Sequence, residues 1–221
     1  MNSNLVQSLE MLLRSPSALV DSIHSKAEHA ALYLAALLVI VAGTACFGAV
    51  LGTSHGVRQS LFSAAKLPTA FLMTLLLVTP ALTAITSALR RPLAAAESTL
   101  LTLAAAARAS LILLALAPVV WLALSRGLQY HRGILTAALC YGFAGLSALQ
   151  LILLGLGRDW RARVIAMCFA VVLLPTGAQS AWLLRPFVGR PSQHTVPFLR
   201  EVDGSFADSI TRSFDSSVRY E

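Results

Sequence analysis

Asp21, His24 and Glu28 stand at i, i+3 and i+7 in the segment SPSALVDSIHSKAEHA, so they share one helix face where two carboxylates and an imidazole could hold a metal ion. No second cluster completes such a shell, and the face reads as a solvated one. Neither a metal nor another cofactor is expected. Gly-x-Ser-x-Gly, a phosphate loop, His-Glu-x-x-His and paired carboxylates within apolar segments are all missing, and no apolar segment carries a His that could ligate haem. No catalytic residue is assigned, and the chain is read as non-enzymatic.

Arg108 is the one charge near the interior of an apolar segment, and a charge at membrane depth marks a functional site by default. The competing reading places it at the edge of a short span, from which it reaches the interface. Its only acidic neighbour in that segment is Glu97, eleven residues earlier. Gln150 and Gln179 are uncharged polar groups at similar depth, suited to hydrogen bonds between helices. The stretch SAWLLRPFVGRP ends the last apolar run. There Trp182 suits an aromatic belt, Arg185 snorkels to the headgroups, and Pro186 stops the helix. Arg185 and Arg190 are also candidates for a lipid phosphate or an acidic partner.

These residues need elements to hold them. The chain has 221 residues, 57% hydrophobic and 12% charged, with mean hydropathy +0.72. Soluble domains average roughly 25% charged residues. The apolar excess falls in blocks, which predicts an all-α, polytopic membrane protein with about five transmembrane helices and amphipathic interfacial helices. Ala30–Gly52, Leu67–Leu89, Gly133–Gly157 and Val164–Leu184 are free of charge and long enough to span; Ala109–Ser125 is short unless it extends back through Arg108. The five make a domain over 30–185, preceded by an arm (1–29) and followed by a polar tail (186–221).

The arm holds NLVQSLEMLL, whose Leu5, Val6, Leu9, Leu12 and Leu13 form a stripe expected to lie on the membrane or on a neighbouring subunit. The next piece starts at Ser15–Pro16, a helix-start pair, and has no breaker before the first span. The loop HGVRQSLFSAAKLP is expected in the interface, with Pro68 opening the second span. In the tail, Ser205 and Asp208 make a capping box and Phe206, Ile210 and Phe214 a thin stripe that docks on membrane or protein. The first apolar run starts too far along for a signal peptide.

Helix packing is legible in small residues. Thr44, Gly48 and Gly52 repeat every four residues, and Gly142 and Gly145, with Ala138 and Ala148, suggest a second close-packing face. Pro80, Pro118 and Pro175 lie inside spans and predict kinks, with Thr79, Thr83 and Thr176 placed to satisfy freed carbonyls. Cys46, Cys140 and Cys168 read as small apolar packing residues.

Net charge is +7 without any basic run, so nucleic acid is not expected as a partner. Membrane lipids are, together with other membrane subunits or further copies of the chain. Fifteen of the seventeen cations are Arg, which points to a GC-rich bacterial genome and an inner-membrane location. Loop cations total equally on the two sides. The denser RR and RDWRAR clusters favour a cytoplasmic N-terminus.

The stretch SLFSAAKLPTAFLMTLLLVTPAL and the exit QSAWLLRPFVGRP, with five spans, resemble small bacterial membrane proteins of Yip-domain-like architecture. That resemblance covers roughly residues 52–191 and implies a cytoplasmic N-terminal segment, five spans and a scaffolding or membrane-organising role. The hydrophilic N-terminal domain of eukaryotic members has no counterpart, so neither a trafficking role nor any functional residue is carried over. The leading expectation is an accessory, scaffold or assembly subunit. The alternative is a small oligomeric transporter or channel using the proline kinks, Arg108, Gln150 and Gln179 as path-lining groups.

Overall fold

The computed structural model describes residues 3–25, 29–53, 56–126, 130–184 and 198. All regular structure among them is helical: α1 (Ser3–Arg14), α2 (Pro16–Ser25), α3 (His29–Gly52), α4 (Val57–Ala88), α5 (Ala95–Ser125), α6 (Tyr130–Leu156) and α7 (Trp160–Leu184). The last five are long and apolar enough to cross a membrane. Their outer surface is a hydrocarbon belt in which Leu76, Leu139, Phe143, Val171 and Leu174 all lie more than 60% exposed, while Ser, Thr and Lys side chains sit inside. That inversion suits a lipid solvent, because an apolar exterior costs nothing there while buried hydroxyls still find partners.

α3 packs between α4 and α5; α6 flanks α5, and α7 flanks α4. α4 and α5 also touch as a hairpin, whereas α6 and α7, though joined by a short turn, meet only slightly. The close approach of α3 to α4 depends on missing side chains. A Cβ on Gly48 would overlap the Ser63 carbonyl, and one on Gly52 would lie 2.5 Å from Ser60 Cα. Gly43, which the small-residue reading missed, does the same for α5, where a Cβ would lie 2.8 Å from the Ser110 carbonyl oxygen.

Two span boundaries differ from the sequence expectation. α4 starts at Val57 and runs through Pro68, so HGVRQSLFSAAKLP is largely the first third of a helix and not an interfacial loop. α5 starts at Ala95 and not at Ala109, which moves Arg108 from the edge of a short span to the middle of a long one. Pro80, Pro118 and Pro175 lie within α4, α5 and α7, all exposed on the outer faces. The carbonyls they free are those of Leu76, Leu114 and Val171. The threonines expected to satisfy them bond elsewhere: Thr79 to Leu75 O, Thr83 to Thr79 O and Thr176 to Val172 O.

The arm corrects another expectation. α1 and α2 pack on this chain's own bundle, α1 on α3 and α5, α2 on α5 and α6, burying Leu12, Leu19 and Ile23 while Val6 and Leu13 of the α1 stripe stay exposed. His24 Nε2 bonds the Gly155 carbonyl at 3.2 Å, tying α2 to the end of α6. Periodicity shows that a stripe exists but not which apolar surface covers it. Continuity of α2 with α3 through residues 26–28, and Glu28 itself, lie outside the described residues.

At this same end a turn closes α4. Leu89, Arg90 and Arg91 N–H groups donate to Ile85 O, Ser87 O and Thr86 O, with Arg90 in the left-handed region at φ 55° and Pro92 barring continuation. The turn aims the Arg91 guanidinium at the Asp159 carboxylate in the α6–α7 turn. Gly157 is favoured there by its φ of 103°, in the left-handed region, and a Cβ would also press on Arg91 Nη2 at 2.9 Å.

The hydrogen bond from Arg91 holds the Asp159 carboxyl below the ordinary carboxylate range. A lowered folded-state value means that the stabilisation is present above the unfolded value, about 3.9, and is lost as pH falls through the folded one. Asp159→Asn should therefore lower thermal stability slightly at pH 7, with the gap from the parent closing below about pH 4. Melting curves across that range check it, and a gap independent of pH would refute the pairing.

Candidate functional site

Polar groups enter the bundle interior at three places. The first is on α4, where Gln59, Ser63 and Lys66 recur at helical spacing and are all buried, Lys66 only 1% exposed. Val57 and Leu61 on the same turns point outward at 78% and 66%. The polar face is thus the inner one, against α3 where Gly48 and Gly52 admit it. Phe62 and Phe198 meet edge to face at 5.1 Å, Lys66 Nζ lies 4.9 Å from the Phe198 centroid, and the Arg58 guanidinium lies 5.3 Å from the Phe62 centroid. Two cations thereby alternate with two rings, each cation favoured by the negative ring face. Counting Lys66 as a loop charge missed this; the signal was a polar stripe at period 3.6 ending in a cation.

The second is Arg108. It lies 13 residues after Ala95 and 17 before Ser125, close to the middle of α5. Its Nε donates to Ser147 Oγ on α6 at 2.8 Å, and its buried Nη1 meets no acceptor among the described residues. Glu97 offers nothing. It sits in the first turn of α5, where its carboxylate accepts the Ala94 N–H at 3.4 Å. No other Asp or Glu occurs in the five long helices, so Arg108 has no acid on the spans to match it. Placing an Arg at the centre of a spanning helix costs about 2.5–3.5 kcal/mol on insertion scales.

The third is a hydroxyl ladder between α4 and α5, with Thr79 Oγ1 and Thr102 Oγ1 3.1 Å apart and Thr83 Oγ1 and Ser98 Oγ 2.6 Å apart. Beside it lies an open groove of about 470 Å³ lined by Thr79, Pro80, Thr83, Ala84, Ser87, Ala95 and Thr99. No lining residue titrates near neutral pH or can serve as a base. The groove can offer hydrogen bonds but cannot move a proton.

The remaining candidates separate. Thr44, Gly48 and Gly52 are buried together at the α3–α4 contact, with the Thr44 hydroxyl bonded back to Ile40 O at 2.6 Å. Gly142 and Gly145 meet no other helix among the described residues: both are exposed, and a Cβ on either meets nothing within 4 Å. α6 turns its Ala144–Ala148–Leu151 face to the core, so the glycines are left on the far side. Gln150 is exposed on α6, and Trp182 is half-buried near the end of α7. Arg185, Arg190 and the tail motif around Ser205 and Asp208 fall outside the described residues. Among the described residues no group of three or more His, Cys, Asp or Glu side chains could hold a metal.

No protein-family model, curated protein or solved structure matches the chain.

Proposed function

We propose that the chain is a non-catalytic integral membrane protein, an accessory, scaffold or assembly subunit of a bacterial inner membrane with a cytoplasmic N-terminus. The observation that carries this reading is the outer face of α6. There Ala138, Gly142 and Gly145 are exposed beside the large apolar residues Leu139, Phe143 and Leu146. Small residues make a shallow track that gains nothing against fluid lipid tails, yet lets another helix approach closely. The Yip-domain-like resemblance agrees with such a role. The transporter reading is weakened because Pro80, Pro118 and Pro175, its proposed kinks, face outward, and among the described residues no acid sits at midplane to couple protons or sodium.

The test is native mass spectrometry of the tagged chain, gently extracted from its own membrane, as the parent and as Gly142→Leu/Gly145→Leu. Stoichiometric association with a second chain or a second copy, lost in the double variant while the bundle stays folded, is the expected result. A lone monomer from the parent chain would overturn the reading.

A further inference from the structure

Arg108 and Ser147 line a seam between α5 and α6 that opens to the outside of the bundle. On α5 the row beyond Arg108 continues through Ala115, Val119 and Leu122, all exposed. On α6 the flank of Ser147 carries exposed Phe143 and, one turn the other way, exposed Gln150. The seam is therefore an apolar track with a cation partway along it. That cation is half-buried, uses Nε on Ser147 and keeps a buried Nη1 with no acceptor among the described residues.

Resting on the subunit reading, we propose that Arg108 is the docking point for a transmembrane helix of a partner protein carrying an Asp or Glu at bilayer mid-depth. Charge and depth select that occupant. A guanidinium carries five N–H donors, of which Ser147 takes one, so donors remain for a carboxylate. Arg108 lies about 20 Å along the axis from the start of α5 and about 25 Å from its end, at 1.5 Å per residue. Lipid phosphates lie about 15 Å or more from the midplane of a 30 Å hydrocarbon core, beyond the reach of an arginine side chain. A carboxylate on a spanning helix is delivered at the right depth by that helix itself. The bond would also compensate a charge that the five spans leave without an acid.

The full chain in phosphatidylcholine nanodiscs is titrated with labelled single-span peptides, a Leu/Ala host with central Glu, Gln or Leu, and binding is read by energy transfer. The Glu peptide should bind at least tenfold tighter than the Leu peptide, with Gln between them. Arg108→Leu should erase the difference, and Arg108→Lys should keep part of it. Ser147→Ala, which leaves the cation in place, should keep the Glu preference and covers the case in which Arg108→Leu does not fold. Equal affinity for the three peptides overturns the proposal. So does a Glu preference that persists in Arg108→Leu, or one abolished by phosphatidylglycerol, which would assign the cation to lipid. The subunit reading fails separately: if no chain co-purifies with the parent protein but the Glu preference holds, the docking point stands without it. If a partner is retained by Arg108→Leu, the reverse follows.

Discussion

Replacing Gly48 by leucine should destabilise the bundle by about 3 kcal/mol or more, at the upper end of what overpacking costs. The side chain has nowhere to go. Its Cβ would overlap the Ser63 backbone carbonyl, and Leu67 Cβ stands 3.1 Å away on the next turn of α4. A backbone atom cannot rotate aside, so α3 and α4 must separate along their contact and uncover Gln59, Ser63 and Lys66. Leucine at Gly142 is the matched control, since nothing lies within 4 Å of that position. The same substitution there should change intrinsic stability by no more than about 0.5 kcal/mol. Unfolding by a denaturing detergent, followed by far-ultraviolet dichroism, reads both variants. Similar losses at the two positions would contradict the assignment of inner and outer faces.

The second large effect is expected at Lys66. Lys66→Glu keeps a charge at the same buried place but reverses its sign against the Phe198 ring. The ring face that attracts the ammonium then repels the carboxylate, and a loss of about 3 kcal/mol is expected, in the range for a buried charge stripped of its compensation. Lys66→Met preserves length and removes the charge together with its desolvation cost. It gives up the ammonium's contact with the Phe198 ring face, worth about 0.5–2 kcal/mol, so this variant should lose less than Lys66→Glu. Detergent-denaturation midpoints for the two decide it. If Lys66→Met loses as much as Lys66→Glu, the lysine holds the fold through bonds that any neutral residue breaks, and sign is not the issue.

Composition and block length were enough to read five spans and an all-helical fold. α3 ends at Gly52, where the first apolar block ends, because an uncharged apolar block in lipid satisfies its backbone as a helix. The misreadings share one cause. Pro68 reads as a helix start and Arg108 as a span edge only if a helix at membrane depth must be free of proline and charge. Here α4 carries Pro68 in its interior, and α5 carries Arg108 with a Ser147 hydroxyl to receive it. Whether a small-residue face meets a neighbour or the outside depends on the order of helices around the bundle, which no local pattern encodes. Gly48 and Gly142 look alike in sequence and differ only in that order. Glycines 43 and 155 escaped notice because each stands alone, one against the Ser110 backbone and one against the Leu101 side chain.

The arrangement in which α6 seats on α5 while α7 crosses to α4 also fixes a chronology. A chain inserted from its N-terminus places α3 and α4 together at once, and α5 then closes the other side of α3. The α4 surface that receives α7, with Thr74 opposite Gly177, must wait while two more spans are made. Because α6 and α7 barely touch each other, the last helix gains little from its hairpin partner and is held by an element synthesised three helices earlier. Cleavage in the α6–α7 turn should accordingly leave a six-helix fragment able to recapture α7 in trans, with the Arg91–Asp159 pair as a latch at the cut.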